Sequence, residues 1–260
     1  MSTTGAAPVP GSDPVNANAA SVLRWPVRMT LLLAFIAGAA DASDFKAFGV
    51  FTANQAGNLV LVWIRFSEGS GAAWLSLFSL FGCLAGVALV VLLRRGVPWL
   101  TSAAGSRVLL LIAAGVLAVT ASVSILALGD LNLADLQKLV AGSAQWWASA
   151  LAVTSSALAL AMLGTVFVKV GMTNASVISS TGPLIDSFRY ATAAVAYRDE
   201  HWRKALRAVV GFPIAWTVGA AIAAFLPVNR GVISLGGMVL IVAIVGFSRR
   251  VGGRSADLAT

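Results

Sequence analysis

Six apolar stretches, at roughly residues 29–47, 73–93, 108–128, 148–168, 207–226 and 231–248, constrain this chain more than any other feature. At about 1.5 Å per residue, each reaches across a hydrocarbon core of about 30 Å, allowing for some thinning of the bilayer. Soluble domains are about one quarter charged. This chain of 260 residues is 11% charged and 58% hydrophobic, with a mean hydropathy of +0.88. The sequence therefore predicts an all-α polytopic membrane protein whose principal partner is the lipid bilayer.

The formal charge of +8 could suit nucleic acid, but the basic residues gather at the ends of the apolar runs. That is the distribution of cytoplasmic loops, and no nucleic-acid partner is expected. With six spans and a cytoplasmic N-terminus, only Lys46, Arg65, Lys138 and Arg230 of the 18 basic residues fall outside. If residues 50–66 also span, there are seven spans and the N-terminus moves outside. Arg24, Arg28, Arg65, Lys138 and Arg230 are then external. Both arrangements leave the C-terminus in the cytoplasm. Six spans are preferred, because Thr52, Asn54, Gln55 and Asn58 would be costly against lipid.

The polar composition of residues 1–24 predicts a disordered cytoplasmic tail, and 251–260 a second one, around a single transmembrane domain over 25–250. Arg24, Arg28 and the run to "AGAADA" imitate a secretory leader, but the long polar tail and the later spans favour an uncleaved first span. Trp25, Trp74, Trp99, Trp146, Trp147 and Trp202 fall near expected span ends, as interface anchors do.

Two segments interrupt the pattern. "AGAADASDFKAFGVFTANQAGNLV" follows the first apolar run, and "GMTNASVISSTGPLIDSFRYA" follows the fourth. Gly38 aligns with Gly171, Asp41 with Asn174, Ala42 with Ala175 and Ser43 with Ser176, and "QAGNL" further on is similar to "STGPL". Each motif precedes two long apolar segments, so the chain divides into candidate halves 25–130 and 146–250. Three spans per half would insert the second copy upside down, with two polar re-entrant or broken segments entering from opposite sides. That is the inverted-repeat plan of secondary transporters. A spanning 50–66 would make the copies parallel and remove this support.

Asp41 and Asp44 are three apart and share a helix face. A carboxylate within the bilayer is expected to face protein or water and to mark an ion or proton path. Burial disfavours its charged form, so Asp41 is a candidate proton-coupling site. Alternatively, the first span ends near Ala40 and both acids lie at the outer interface, Asp44 near Lys46. Asn54, Gln55, Gly57 and Asn58 suit either a non-helical turn lining a cavity or a helix cap with Asn58 at the N-cap. In the second motif Asn174 and Thr181 are candidate solute contacts, Gly171, Gly182 and Pro183 structural ones, and Asp186 and Arg189 a candidate ion pair.

These motifs resemble the YoaK family of bacterial inner-membrane proteins, domain-of-unknown-function family 1275, over approximately residues 25–250. The chain departs from that family's usual pattern at Ala56, Thr173 and Pro183. The resemblance implies a multi-pass architecture in the inner membrane and no established activity.

Enzyme chemistry finds little footing. The single histidine, His201, lies in the charged run "YRDEHWRKALR". There is no nucleophile-elbow serine and no "GxxxxGK" phosphate loop. Lone Cys83 and lone His201 leave no multi-cysteine or multi-histidine metal site, and no cofactor is expected. The expectation is a secondary transporter or exporter of a small solute or ion, proton-coupled through Asp41. The alternative is a non-transporting scaffold or accessory protein, and small residues would permit a homodimer face.

Overall fold

The computed structural model describes residues 27–128, 143–166, 181–197, 203, 206, 210–225 and 236–244. Among these the chain is all-helical. Its helices are α1 (Val27–Phe48), α2 (Gln55–Ser67), α3 (Ala72–Gly96), α4 (Ala103–Leu128), α5 (Ala144–Val166), α6 (Thr181–Tyr197) and α7 (Gly211–Phe225). A 3₁₀ turn at Pro98–Thr101 links α3 to α4, and residues 236–244 are helical as well. The loop at 129–142, the link "PVNR" and the segment 167–180 lie outside the described residues.

Local chemistry sets the helix ends. α1 stops at Gly49, whose φ of 68° is a left-handed conformation favouring glycine and whose N–H returns to the Phe45 carbonyl at 2.8 Å. α2 ends in a Schellman turn. Gly69 has φ 67°, Ser70 N–H bonds the Arg65 carbonyl, and Gly69 N–H bonds the Phe66 carbonyl. Val97, ahead of Pro98, leaves the helical region and closes α3. Ser102 and Ser143 cap the next two helices, Ser102 Oγ accepting from Gly105 N–H at 3.1 Å and Ser143 Oγ from Trp146 N–H at 3.2 Å. Pro213 sits in the first turn of α7, where its missing N–H has no helical partner to lose.

Glycines let the helices pack backbone to backbone. A Cβ on Gly38 would overlap the Trp216 carbonyl, and one on Gly219 the Phe35 carbonyl, so α1 and α7 are in direct contact. Gly211 faces Leu31, and Lys46 Nζ donates to the Ala224 carbonyl at 3.0 Å. Contacts thus advance together along α1 and α7, and the two helices run parallel. The same holds for α3 and α5. Phe78 stacks edge-on with Trp146, Gly82 meets the Thr154 carbonyl, and Gly86 meets the Leu158 carbonyl.

One apolar cluster joins Leu33, Ile36 and Phe212 from the early turns of α1 and α7 to Val90 and Leu163 from the late turns of α3 and α5. A smaller one joins Phe48 and Val50, at the end of α1, to Leu75 and Trp146, at the starts of α3 and α5. α1 and α7 therefore run one way, α3 and α5 the other. Each candidate half gives its first helix to the other half: α1 pairs with α7 and α5 with α3. Equivalent helices of the halves, α1 with α5 and α3 with α7, point in opposite directions.

By length and composition, α3 (25 residues) and α5 (23 residues) could each cross a membrane. Only 33% of the apolar window of α3 is buried, against 67% for α5, which makes α5 the central helix of the two. α1 has 22 residues but carries Arg28, Asp41, Asp44 and Lys46. Trp74, Trp99 and Trp147 are exposed near helix ends, whereas Trp146 turns inward; Trp25 and Trp202 lie outside the described residues.

Candidate functional site

The sequence left open where the first helix ends. It continues through Asp41 and Asp44 to Phe48, and both acids are buried, at 1% and 2% exposure. Both are enclosed by protein, and Lys46 bonds the Ala224 carbonyl at the end of α7.

The chain beyond Gly49 does not simply leave the bundle. Residues 51–54 fold back along α1, and Asp41 receives their backbone amides. Asp41 Oδ1 accepts from Thr52 N–H at 2.8 Å and Ala53 N–H at 2.6 Å. Asn54 N–H lies 3.0 Å from Oδ2 and 3.3 Å from Oδ1. These amides belong to the segment that leads into α2 at Gln55. A carboxylate from another helix thus fixes the approach to α2, and its charge suits the positive end of the α2 dipole. One turn further on, Asp44 Oδ2 accepts the Thr52 hydroxyl at 2.7 Å.

The cap therefore differs from the sequence expectation. α2 begins at Gln55, and Asn54, at the N-cap position, makes no side-chain cap bond. Asn58 lies within the first turns and is fully buried. Its Oδ1 accepts from Phe51 N–H at 3.0 Å, while its Nδ2, with two hydrogens to give, lies within bonding distance of the Phe51 carbonyl, Gln55 Oε1 and Ser79 Oγ. Asn58 thus pairs with both backbone polar groups of Phe51, which frees that residue from needing water. Ser79 Oγ, on α3, donates to the same carbonyl at 2.7 Å, and Gln55 Nε2 donates to the Thr52 carbonyl at 2.9 Å. The Phe51 ring stacks on Phe45 with centroids 4.7 Å apart, directly over Gly57, where any Cβ would overlap it.

Arg65 fixes the direction of α2. Its guanidinium donates to the Gly49 carbonyl past the end of α1, to Ser76 Oγ at 3.1 Å and to the Ala72 carbonyl at 3.3 Å. The start of α2 is thus level with Asp41 and its end level with Gly49. α2 runs parallel to α1 and antiparallel to α3, so the chain dips back by about 12 Å, the rise from Asp41 to Gly49, and climbs out again.

Asp41, Asp44, Asn54, Gln55 and Asn58 are therefore brought into one cluster, with Gly57 beneath it. Asn174 and Gly171 lie outside the described residues, and only the backbone of Thr181, Gly182 and Pro183 is described, as the first turn of α6. Gly38 serves helix packing. Asp186 and Arg189 do pair, at 3.9 Å, the arginine exposed and the acid partly buried. Ser76, Ser79 and Arg65 were not anticipated as cluster members. Their one signal is the spacing of the two serines, three apart on an otherwise apolar helix.

Among the described residues no three His, Cys, Asp or Glu side chains gather as metal ligands. A separate cavity of about 520 Å³ opens between α6 and α7 against Phe188, Ile214, Thr217 and Val218. It is apolar and contains none of the acids. Compared with known families, residues 29–248 match the model described as "Protein of unknown function (DUF1275)". No curated protein and no solved structure matches the chain.

Proposed function

The chain belongs to the DUF1275 family, whose description assigns no activity, and from its geometry we propose an inner-membrane secondary transporter or exporter of a small solute, proton-coupled through Asp41. In this reading six helices cross the bilayer, α2 is re-entrant, and both termini are cytoplasmic. The observation that carries it is the opposed direction of α1 and α5 and of α3 and α7, together with a helix break ending on buried carboxylates. Inverted repeats with broken helices near the midplane are the recurring plan of secondary transporters. Outward-facing Phe81, Leu84, Leu92, Leu151, Val119 and Phe225 are each more than half exposed, a surface suited to lipid rather than water.

The coupling chemistry follows from the cap. An ionised Asp41 is acceptor-only and fits amides that can only donate. A proton on it converts one oxygen to a donor and disrupts that match, so proton uptake would loosen the start of α2. A scaffold reading is favoured by one specific feature: Asp41 and Asn58 spend their hydrogen bonds within the protein.

Two measurements test the proposal. In a Cys83→Ser background, single cysteines at Ser21 and Ser67 are labelled with an impermeant thiol reagent. Labelling from opposite sides is expected for a re-entrant α2; labelling from the same side would make α2 a span and the halves parallel. Vesicles loaded with a pH-sensitive dye are then screened with small solutes for proton movement. Solute-dependent movement that Asp41→Asn abolishes at equal expression is the expected result. No response to any solute class would favour the scaffold.

A further inference from the structure

α2 is an amphipathic helix bound almost wholly through polar groups. Of its side chains only Asn58 and Val62 are buried, while Leu59, Val60, Trp63, Ile64 and Phe66 face outward. Its attachments are few and nameable. Asp41 and Asp44 hold Thr52–Asn54 to α1, Arg65 reaches the Gly49 carbonyl, and Ser76 and Ser79 tie it to α3. The two ends of this unit are the positive-φ glycines Gly49 and Gly69, and Gly69 has no neighbouring atom within 4 Å of where a Cβ would stand. Beneath it lies the smaller of the two apolar clusters, Phe48 and Val50 against Leu75 and Trp146, which closes the bundle where α1 ends and α3 and α5 begin.

We propose that residues 51–54 and α2 form a strap over this end of the bundle, hinged at Gly49–Val50 and Gly69, which swings open as a unit when the Thr52–Asn54 amides leave Asp41. Its buried apolar contacts are few, Ala53, Val62 and the Phe51 stack on Phe45, and the rest of its attachment is hydrogen bonds, each re-made with water at a net cost of about 0.5–1.5 kcal/mol. Opening would uncover the boundary between α1 and the α3–α5 pair. The inference deepens the transport reading, on which the strap's role as a gate rests, but its motion is measurable without any substrate.

The test uses full-length protein in lipid vesicles with Cys83→Ser, an Ala53→Cys reporter in the strap, and an Ala113→Cys control on α4, in the larger apolar cluster. Ala53 is 8% exposed and Ala113 0%, so both cysteines start shielded. Asp41→Asn should raise alkylation of Ala53→Cys about tenfold, the scale of losing roughly one charge-assisted hydrogen bond, and leave Ala113→Cys unchanged. Where Asp41→Asn does not assemble, Thr52→Val removes only the hydroxyl bond to Asp44 and should move the reporter the same way by a smaller factor. Equal rates with and without the substitution, or both cysteines rising together, would overturn the proposal. Strap opening without solute-dependent proton movement would retain it and remove the transport reading; proton movement with a static strap would do the reverse.

Discussion

Removing the Asp41 carboxylate should be the most damaging single change in the first half of this protein that leaves every helix sequence otherwise intact. Asp41→Ala strips the acceptor from three backbone amides, those of Thr52, Ala53 and Asn54, in a place where Asp41 is 1% exposed. A buried donor left unsatisfied costs about 1–3 kcal/mol. The three are adjacent on one short segment and can relax together, so the expected loss is about 3–5 kcal/mol rather than the full sum. Asp41→Asn keeps one carbonyl oxygen but turns an NH₂ toward amides that also donate, and should cost about 1–3 kcal/mol. The order of stability is therefore wild type, Asn, Ala. The assay is thermal or denaturant unfolding of purified protein in one detergent, followed by tryptophan fluorescence. An Asp41→Ala protein within about 1 kcal/mol of wild type would refute the cap, because no arrangement with three orphaned amides could be that stable.

Helix packing gives a sharper set of contrasts. Gly38→Ala and Gly82→Ala each place a methyl onto a backbone carbonyl, of Trp216 and Thr154, and should lower stability by about 1–3 kcal/mol, whereas Gly71→Ala meets nothing within 4 Å and should be near neutral in the same unfolding assay. Gly69→Ala carries only the cost of a left-handed backbone, about 1 kcal/mol, and should leave the contacts of α2 intact by thiol accessibility. Ser79→Ala loses the hydroxyl bonds to Phe51 and Asn58 and should cost about 1 kcal/mol. Asp186→Ala breaks a partly exposed i,i+3 pair and should change stability by less than about 0.5 kcal/mol; a larger loss would mean Asp186 has a role beyond that pair.

Apolar length made the helices legible in the sequence, because a run of some twenty apolar residues has few alternatives. The expected 29–47, 73–93 and 148–168 became Val27–Phe48, Ala72–Gly96 and Ala144–Val166. The break was legible for a different reason. Asp41, Asp44 and the amides at 54, 55 and 58 are too polar for an unbroken apolar helix, and all of them meet in one cluster. What the sequence could not reveal was which partner each group takes. Asn58 looked like a helix cap because caps are usually local, and local signals are all that a string of residues displays. The group that fixes the entry to α2, Asp41, lies on the preceding helix, beyond a reversal of the chain set by Gly49. Ser79 and Arg65 escaped notice because their roles depend on α3 lying antiparallel to α2. Helix exchange was equally hidden. Gly38, Gly82 and Gly219 announce close approach, but small residues announce it to any neighbour.

The exchange also bears on how unequal the two halves are. Each half lends its first helix to the other, yet the acids on α1 bond only to Thr52, Ala53 and Asn54 of their own half. A strict duplication would repeat the same carboxylates in the second motif. Instead Asn174 aligns with Asp41, and Val177 stands where Asp44 would. An amide oxygen accepts backbone N–H groups more weakly than a carboxylate, and it has no proton to gain in the physiological range. At these two aligned positions the second motif carries no carboxylate to match the pair that holds Thr52–Asn54. The transport proposal therefore assigns proton release to the first motif: one titratable latch would let one end of the bundle respond to a proton while the other does not.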